Sequence, residues 1–318
     1  MGETAVVFPG QGCQVVGMAR DVAERSARAR AVFDRAGRLL GFDLARLCFE
    51  GPAADLARTD LQQPAIFVAS VALWEALLEA GASRAQFARA GGLSLGEYTA
   101  LYAAGAVAFD DALRLVHRRG TLMQTAASAT PGGMVSLVGA DDATARNICD
   151  RARGDDVLAP ANFNGPGQVV ISGSEAACAR ASEAASELGC RAVVLPVAGA
   201  FHSPLMAPAA AGLRDVLDAT TFREPAIPVI ANADAAYHGD APAMRDALCR
   251  QLTSPVLWRQ CVERMIADGV TRFLEVGPGR VLTGLIRKIN RQVRATPVHD
   301  ANAIAAVVVP AGADATAH

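Results

Sequence analysis

Short apolar runs that end at glycine alternate with longer stretches of helical periodicity along most of this 318-residue chain, and that alternation restricts the fold more than any other feature. "TAVVF" (Thr4 to Phe8) reads as a strand running into the glycine loop "PGQG". "QFARAGG" reads as a second strand, and "IPVIAN" and "TRFLEVG" as later ones. Between and after them, "QQPAIFVASVALWEALLEAG", "GEYTALYAAG", "DDALRLVHRRGTLMQTAA", "PVLWRQCVERMIADG" and "RVLTGLIRKIN" read as helices. Pro64 suits a first helical turn and Gly81 a stop, and Asp110 and Asp111 lie at the positive end of the helix they open. Strands alternating with helices predict an α/β protein with a mostly parallel sheet covered on both faces.

One segment breaks this rhythm. From about Gly133 to Val197 the chain reads "MVSLVGA" as strand, "DDATARNICDRA" as helix, "VLAPANFN" and "QVVISG" as strands, "SEAACARASEAASELG" as helix and "RAVVLPV" as strand. The turn Gly165-Pro166-Gly167 joins the two central strands. This is β-α-β-β-α-β, the ferredoxin-like order. The expected organisation is a discontinuous core at 1–131 and 200–302 with an inserted small domain at 132–199. The small, turn-rich end "VVVPAGADATAH" predicts a flexible tail at 303–318.

Hydrophobic residues make up 52% of the chain and charged residues 19%, which supports a large core and argues against disorder. A formal net charge of -2 gives no electrostatic reason to expect nucleic acid as a partner. The opening "MGETAVVFPGQG" lacks the basic and apolar regions of a signal peptide, and no apolar run is read as approaching the ~20 residues of a membrane span. The seven cysteines are scattered, odd in number and never spaced CxxC, so reduced thiols are expected, with no disulfide framework and no metal site. A cytoplasmic protein without a membrane partner is the expectation, and a monomer.

The stretch with most chemistry in it is "AGGLSLGEYTALYAAGA", where Ser94 stands between Gly92 and Gly96. Gly-x-Ser-x-Gly between a strand and a helix is the nucleophile elbow. Its tight turn has no room for Cβ atoms at the flanks, and it presents the serine at a helix N-terminus whose free N–H groups favour an oxyanion. A serine hydroxyl also needs a base. Of the five histidines, His117 lies mid-helix, His238 in the polar turn "DAAYHGD", and His299 and His318 near the end. His202, in "VAGAFHSPLM", lies where the chain re-enters the core and is the best candidate. No convincing triad aspartate lies between Ser94 and His202.

"FPGQGCQ", "GLSLGEYTALYAAGA", "RRGTLMQ", "NFNGPGQVVISG", "GAFHSPLM", "QLTSPVLW" and "LEVGPGRVLTGLI" together resemble the malonyl-CoA:acyl carrier protein transacylases, in order and spacing, from Val6 to about Ile289. The same set marks the acyltransferase domains of polyketide and fatty acid synthases. The resemblance implies an α/β-hydrolase-like core with a ferredoxin-like insert. It implies Ser94 as nucleophile, His202 as general base, and the backbone carbonyl of Gln251 as the group that orients the imidazole. It implies an oxyanion hole from the backbone N–H groups of Gln11 and Leu95. Arg119, in "RRGTLMQ", matches the arginine that clamps the malonyl carboxylate, with Arg118 as the solvent-facing alternative. Phe201 matches the residue that crowds the α-carbon in malonyl-selective members, where methylmalonyl-selective ones usually carry serine. Gln63, Asn162 and Met123 match positions near the pocket. Malonyl-CoA is implied as substrate and the phosphopantetheine thiol of a holo acyl carrier protein as acceptor, with no bound cofactor.

Two positions depart from the pattern. Leu93 stands where a histidine often precedes the nucleophile, and Cys13 where serine is common. Neither removes a catalytic group. The rival readings are an acyl hydrolase on the same scaffold and a catalytically silent module that binds carrier protein. A nucleotide-binding reading of "FPGQGCQ" fails, because no G-K-[ST] follows and the glycines at 10, 12 and 17 miss G-x-G-x-x-G.

Overall fold

In the computed structural model, which describes residues 2–308, two four-stranded sheets stand apart. The first contains β1 (Glu3–Phe8), β2 (Arg89–Gly92), β7 (Val270–Val276) and β8 (Arg294–Val298), in the order β2-β1-β7-β8. Every pairing in it is parallel. Period-two alternation along β1 splits its side chains between two faces. Val6 and Phe8 enter the largest apolar cluster, while Ala5 and Val7 enter a second cluster with Trp258, Met265 and Phe273. Apolar residues on both faces of β1 are what a sheet covered on both sides requires.

The second sheet contains β3 (Gly132–Val138), β4 (Leu158–Gly165), β5 (Gln168–Ser174) and β6 (Arg191–Val194), in the order β4-β5-β3-β6 and antiparallel throughout. Helices Asp142–Arg153 and Glu175–Glu187 pack on it around a separate apolar core that includes Val135, Ile148, Phe163, Ile171 and Ala181. Two small polar caps fix where these helices begin: Asp141 accepts the N–H of Thr144, and Ser174 that of Ala177.

Four local expectations differ from the structure. The apolar helix near Pro64 runs from Thr59 to Glu79, so Pro64 lies inside it instead of in its first turn. At 21 residues and a mean hydropathy of 1.4 it is long and apolar enough to cross a membrane, contrary to the reading that no such run exists. Its most apolar window is 83% buried, with apolar side chains on all sides, as in the central helix of a large core. "IPVIAN" makes only a parallel bridge from Val229 to Ala90 and an antiparallel one from Ile230 to Tyr237, and no full strand. The Ala231 N–H turns to the carbonyl of Ala236, and the Asn232 carbonyl accepts from Leu257, so no ladder can continue.

The fourth difference is the tail expected at 303–318. Ala301–Val308 is a helix, N-capped by Asp300 through the N–H of Ala303, with Ile304 buried against the core. The rest of that expectation, 309–318, lies outside the described residues.

Candidate active site

β2 ends at Gly92 and a helix starts at Leu95, leaving Ser94 on the turn between them with φ 52° and ψ -100°. A non-glycine residue in that region is strained, and the surrounding structure must hold it there. Two features do so. A Cβ on Gly92 would lie 2.0 Å from the carbonyl carbon of Gly96, and a Cβ on Gly96 would lie 2.0 Å from the carbonyl oxygen of Phe8, so both flanks must be glycine. The side chain of Asn232 then bridges the turn, accepting the Ser94 N–H at 2.6 Å and donating to the Gly92 carbonyl at 2.8 Å.

Ser94 and His202, 108 residues apart, meet with Oγ and Nε2 separated by 2.9 Å. The Nδ1 of His202 lies 2.8 Å from the backbone carbonyl of Gln251. A carbonyl can only accept, so Nδ1 carries the proton and the Nε2 lone pair faces Ser94. Burial, reinforced by the nearby Arg119 charge, pulls the imidazole pKa from 6.5 to about 4 and keeps the ring neutral near pH 7.

Arg119 is fully buried in the middle of helix Phe109–Ala129, whereas Arg118 faces solvent. Its Nη1 donates to Gln63 Oε1 at 2.7 Å, and its Nη2 to Gln251 Oε1 at 2.8 Å and Ser94 Oγ at 2.9 Å. The guanidinium also stacks over the Tyr98 ring at 5.1 Å. Burial lowers its pKa from the ordinary guanidinium value, but an arginine stays charged in proteins. Gln63 Nε2 in turn points at Met123 Sδ, 3.2 Å away, so Met123 stands behind this cluster.

A cleft of about 140 Å³ opens onto Ser94 and His202 between the two sheets. Gln11 and Leu93 come from the parallel-sheet side and Met134, Asn162, Asn164 and Val170 from the antiparallel one, with Phe201 beside the histidine. Arg119, Gln63, Met123, Gln251 and the Leu95 side chain are buried beneath the cleft and do not line it. Among the described residues the backbone N–H groups of Gln11 and Leu95 have no protein partner. Leu95 is the first residue of its helix, where N–H groups are left free.

Three residues of the site escape the sequence reading. Asn232 closes "IPVIAN", which reads as a strand in the sequence. Glu97, in the first turn of the helix after Ser94, is fully buried and accepts from His238 Nε2 at 2.9 Å, Gln251 Nε2 at 2.7 Å and the Asn232 N–H at 2.9 Å. His238 lies in a stretch that reads as a polar turn, yet its side chain is fully buried against Glu97. One signal was available: an acidic residue directly after the elbow has to find donors once the helix is buried.

A serine hydroxyl against a neutral imidazole, with two free backbone donors beside it and a buried cation beneath it, is equipped to take up an acyl group and pass it on. The chain belongs to the acyl transferase domain family, whose model matches residues 5–311. Over 97% of its length it is 43% identical to the malonyl CoA-acyl carrier protein transacylase of Salmonella typhimurium, covering 99% of that protein. Its fold superposes with a TM-score of 0.92 on an acyl carrier protein S-malonyltransferase from Vibrio cholerae, at 44% identity over 96% of this chain and 99% of the other. A TM-score of 0.93 at 41% identity, over 96% and 99% of the two chains, relates it to a malonyl-transacylase solved in complex with its type II PKS acyl-carrier protein.

Proposed function

We propose that this acyltransferase moves malonyl groups from malonyl-CoA to the phosphopantetheine thiol of an acyl carrier protein, with Ser94 as the acyl carrier. The observation that carries the reading is the pair of 2.9 Å contacts that Ser94 Oγ makes, one to the neutral His202 and one to the buried Arg119. His202 Nε2 takes the Ser94 proton as Oγ attacks the thioester carbonyl. The oxyanion is received by the N–H groups of Gln11 and Leu95, each such donor typically worth ~3 kcal/mol in the transition state. The tetrahedral intermediate expels the CoA thiolate, which His202 protonates. The thiol of the carrier protein then repeats the sequence in reverse, and thioester is exchanged for thioester with little change in free energy.

A malonyl group ends in a carboxylate, and in a dry pocket it needs a charged partner. The Arg119 fork supplies one with the geometry for two parallel hydrogen bonds. This favours transfer over the hydrolase reading, in which no acyl carboxylate has to be held. A silent docking module would not need a strained serine at hydrogen-bonding distance from an unprotonated histidine. Phe201, beside His202 in the cleft wall, suits a role in crowding the α-carbon, and Asn162 one in shaping the opposite wall.

In fold terms we read the core, 1–131 and 200–302, as α/β-hydrolase-like and the insert, 132–199, as ferredoxin-like. The strand order β4-β5-β3-β6 supports the second assignment and the elbow after β2 supports the first. We further read the protein as a cytoplasmic monomer that needs no bound cofactor. The decisive test is intact-protein mass spectrometry after exposure to malonyl-CoA, followed by a holo carrier protein. The wild type should gain and then lose one malonyl mass, and Ser94→Ala should gain none. A malonyl mass on Ser94→Ala overturns the assignment.

A further inference from the structure

We propose that Glu97 is a specificity-determining, positioning residue, which acts through the side-chain amide of Gln251 to hold Arg119 ready for an acyl carboxylate. The inference rests on the reading of Arg119 as the carboxylate clamp. Arg119 is fully buried, and among the described residues it forms no ion pair. All three of its hydrogen-bond acceptors, Gln63 Oε1, Gln251 Oε1 and Ser94 Oγ, are neutral. A direct carboxylate partner would occupy the fork and compete with the substrate. A buried guanidinium with no counter-charge nearby would instead be costly to hold.

The arrangement meets both demands with one intervening amide. Gln251 Nε2 donates to Glu97 Oε2 at 2.7 Å and to the Ser94 carbonyl at 3.1 Å, both pure acceptors. Its Oε1 is therefore forced towards Arg119 Nη2, 2.8 Å away. Glu97 is itself fixed, because Oε2 also accepts the Asn232 N–H at 2.9 Å and Oε1 faces His238 Nε2 at 2.9 Å. The acid sets which way the Gln251 amide points, and the amide sets the fork. The carboxylate stays one residue removed from the guanidinium, which keeps its ionic partner position free for substrate.

With Gln at position 97 an N–H₂ group can face Gln251, and the amide loses its reason to present oxygen to Arg119. The other orientation would set N–H₂ against the guanidinium, donor against donor. Hydrogen bonds to a charged group are among the stronger ones, so misorienting this one corresponds to about tenfold or more in malonyl recognition.

The experiment measures the rate of Ser94 ester formation by intact mass, with malonyl-CoA and acetyl-CoA each over a range of concentrations. The proteins are wild type, Glu97→Gln, Gln251→Met, the double variant and Arg119→Ala. Gln251→Met keeps the backbone carbonyl that holds His202 and deletes only the amide, so it carries the test if Glu97→Gln does not fold. The expected result is a malonyl-to-acetyl ratio lower by about tenfold in each single variant, expressed as a higher apparent KM for malonyl-CoA. The double variant should lose no more than either single one, because both break the same path. A wild-type ratio in Glu97→Gln and Gln251→Met, even with both rates reduced together, overturns the proposal and leaves Glu97 as a support of the elbow. Failure of the underlying reading has a different mark: Arg119→Ala itself would then keep the wild-type ratio.

Discussion

The imidazole of His202 is held at Nδ1 by the backbone carbonyl of Gln251, 2.8 Å away, where serine hydrolases use a carboxylate. A carbonyl fixes the tautomer and the ring plane as a carboxylate would, but it supplies no negative charge to stabilise an imidazolium. The cation of Arg119 nearby works in the opposite direction. The result is a weak base that stays unprotonated, suited to thioester exchange, in which the leaving thiolate is far less basic than an amine.

This gives a pH dependence with a definite sign. With a pKa of about 4, His202 is in its basic form throughout the neutral range. Acylation under kcat/KM conditions should be flat from pH 5 to 8 and fall only as pH drops through about 4. Replacing His202 by Ala should slow acylation by roughly 10²–10⁴-fold at pH 7. A rate that instead halves near pH 6.5 would show an unshifted histidine or a different base; stopped-flow release of CoA is the measurement.

The same shift has a consequence for folding. An unfolded histidine protonates at its ordinary value of 6.5, while the buried ring resists until about 4. The neutral ring's contribution is therefore complete above pH 6.5 and is lost as pH falls towards 4, amounting to about 3 kcal/mol in all. Denaturant melts of wild type and His202→Ala at pH 7 and pH 4.5 should converge on acidification. Parallel curves would contradict the burial argument.

Arg119→Ala should lower malonyl transfer by about two to three orders of magnitude, the cost of stranding one partner of a buried ion pair. Acetyl-CoA has no carboxylate to strand, so its labelling of Ser94 should hold or rise. The comparison of both donors on one protein excludes general unfolding as the cause. Equal losses would make Arg119 structural.

Phe201→Ser opens the cleft wall beside His202. A single methyl group in an apolar pocket discriminates by ~1–3 kcal/mol, so methylmalonyl-CoA should gain on malonyl-CoA by about ten- to two-hundredfold. Phe201 is only 3% exposed and part of the main core, so the variant should also lose several kcal/mol, of the order seen for large-to-small core changes. An unchanged selectivity ratio would remove Phe201 from the α-carbon wall.

The elbow glycines make a purely steric prediction. Gly96→Ala sets a Cβ 2.0 Å from the Phe8 carbonyl oxygen, where only backbone can give way, so soluble yield and acylation should both collapse. Gly133→Ala meets no atom within 4 Å and should shift Tm little, or raise stability by ~0.4–1 kcal/mol through reduced unfolded-state entropy. Similar Tm values for the two variants would undo the steric account.

Much of the architecture was written in local pattern. The short apolar run of β1 ending at a glycine loop, the glycine spacing around Ser94 and the change of rhythm at Gly132 all depend on neighbours a few residues apart, and they identify strands, elbow and second sheet from sequence alone. The helix Ala301–Val308 is not legible in the sequence because small residues carry little periodic signal, although Asp300 is a cap in plain view. "IPVIAN" reads as a strand because its apolar content fits one, while its hydrogen bonds are decided by Ala236 and Leu257. Of the buried polar network only Glu97, directly after the elbow, carries a local sign, and the partners it finds carry none. Glu97 lies 135 residues from Asn232, 141 from His238 and 154 from Gln251, and their contacts exist only once the core has closed. Sequence determines which residues can form elements and turn tightly, because those are short-range steric matters. Which acid faces which amide, and which buried cation is held by neutral acceptors, is decided by desolvation in the assembled fold.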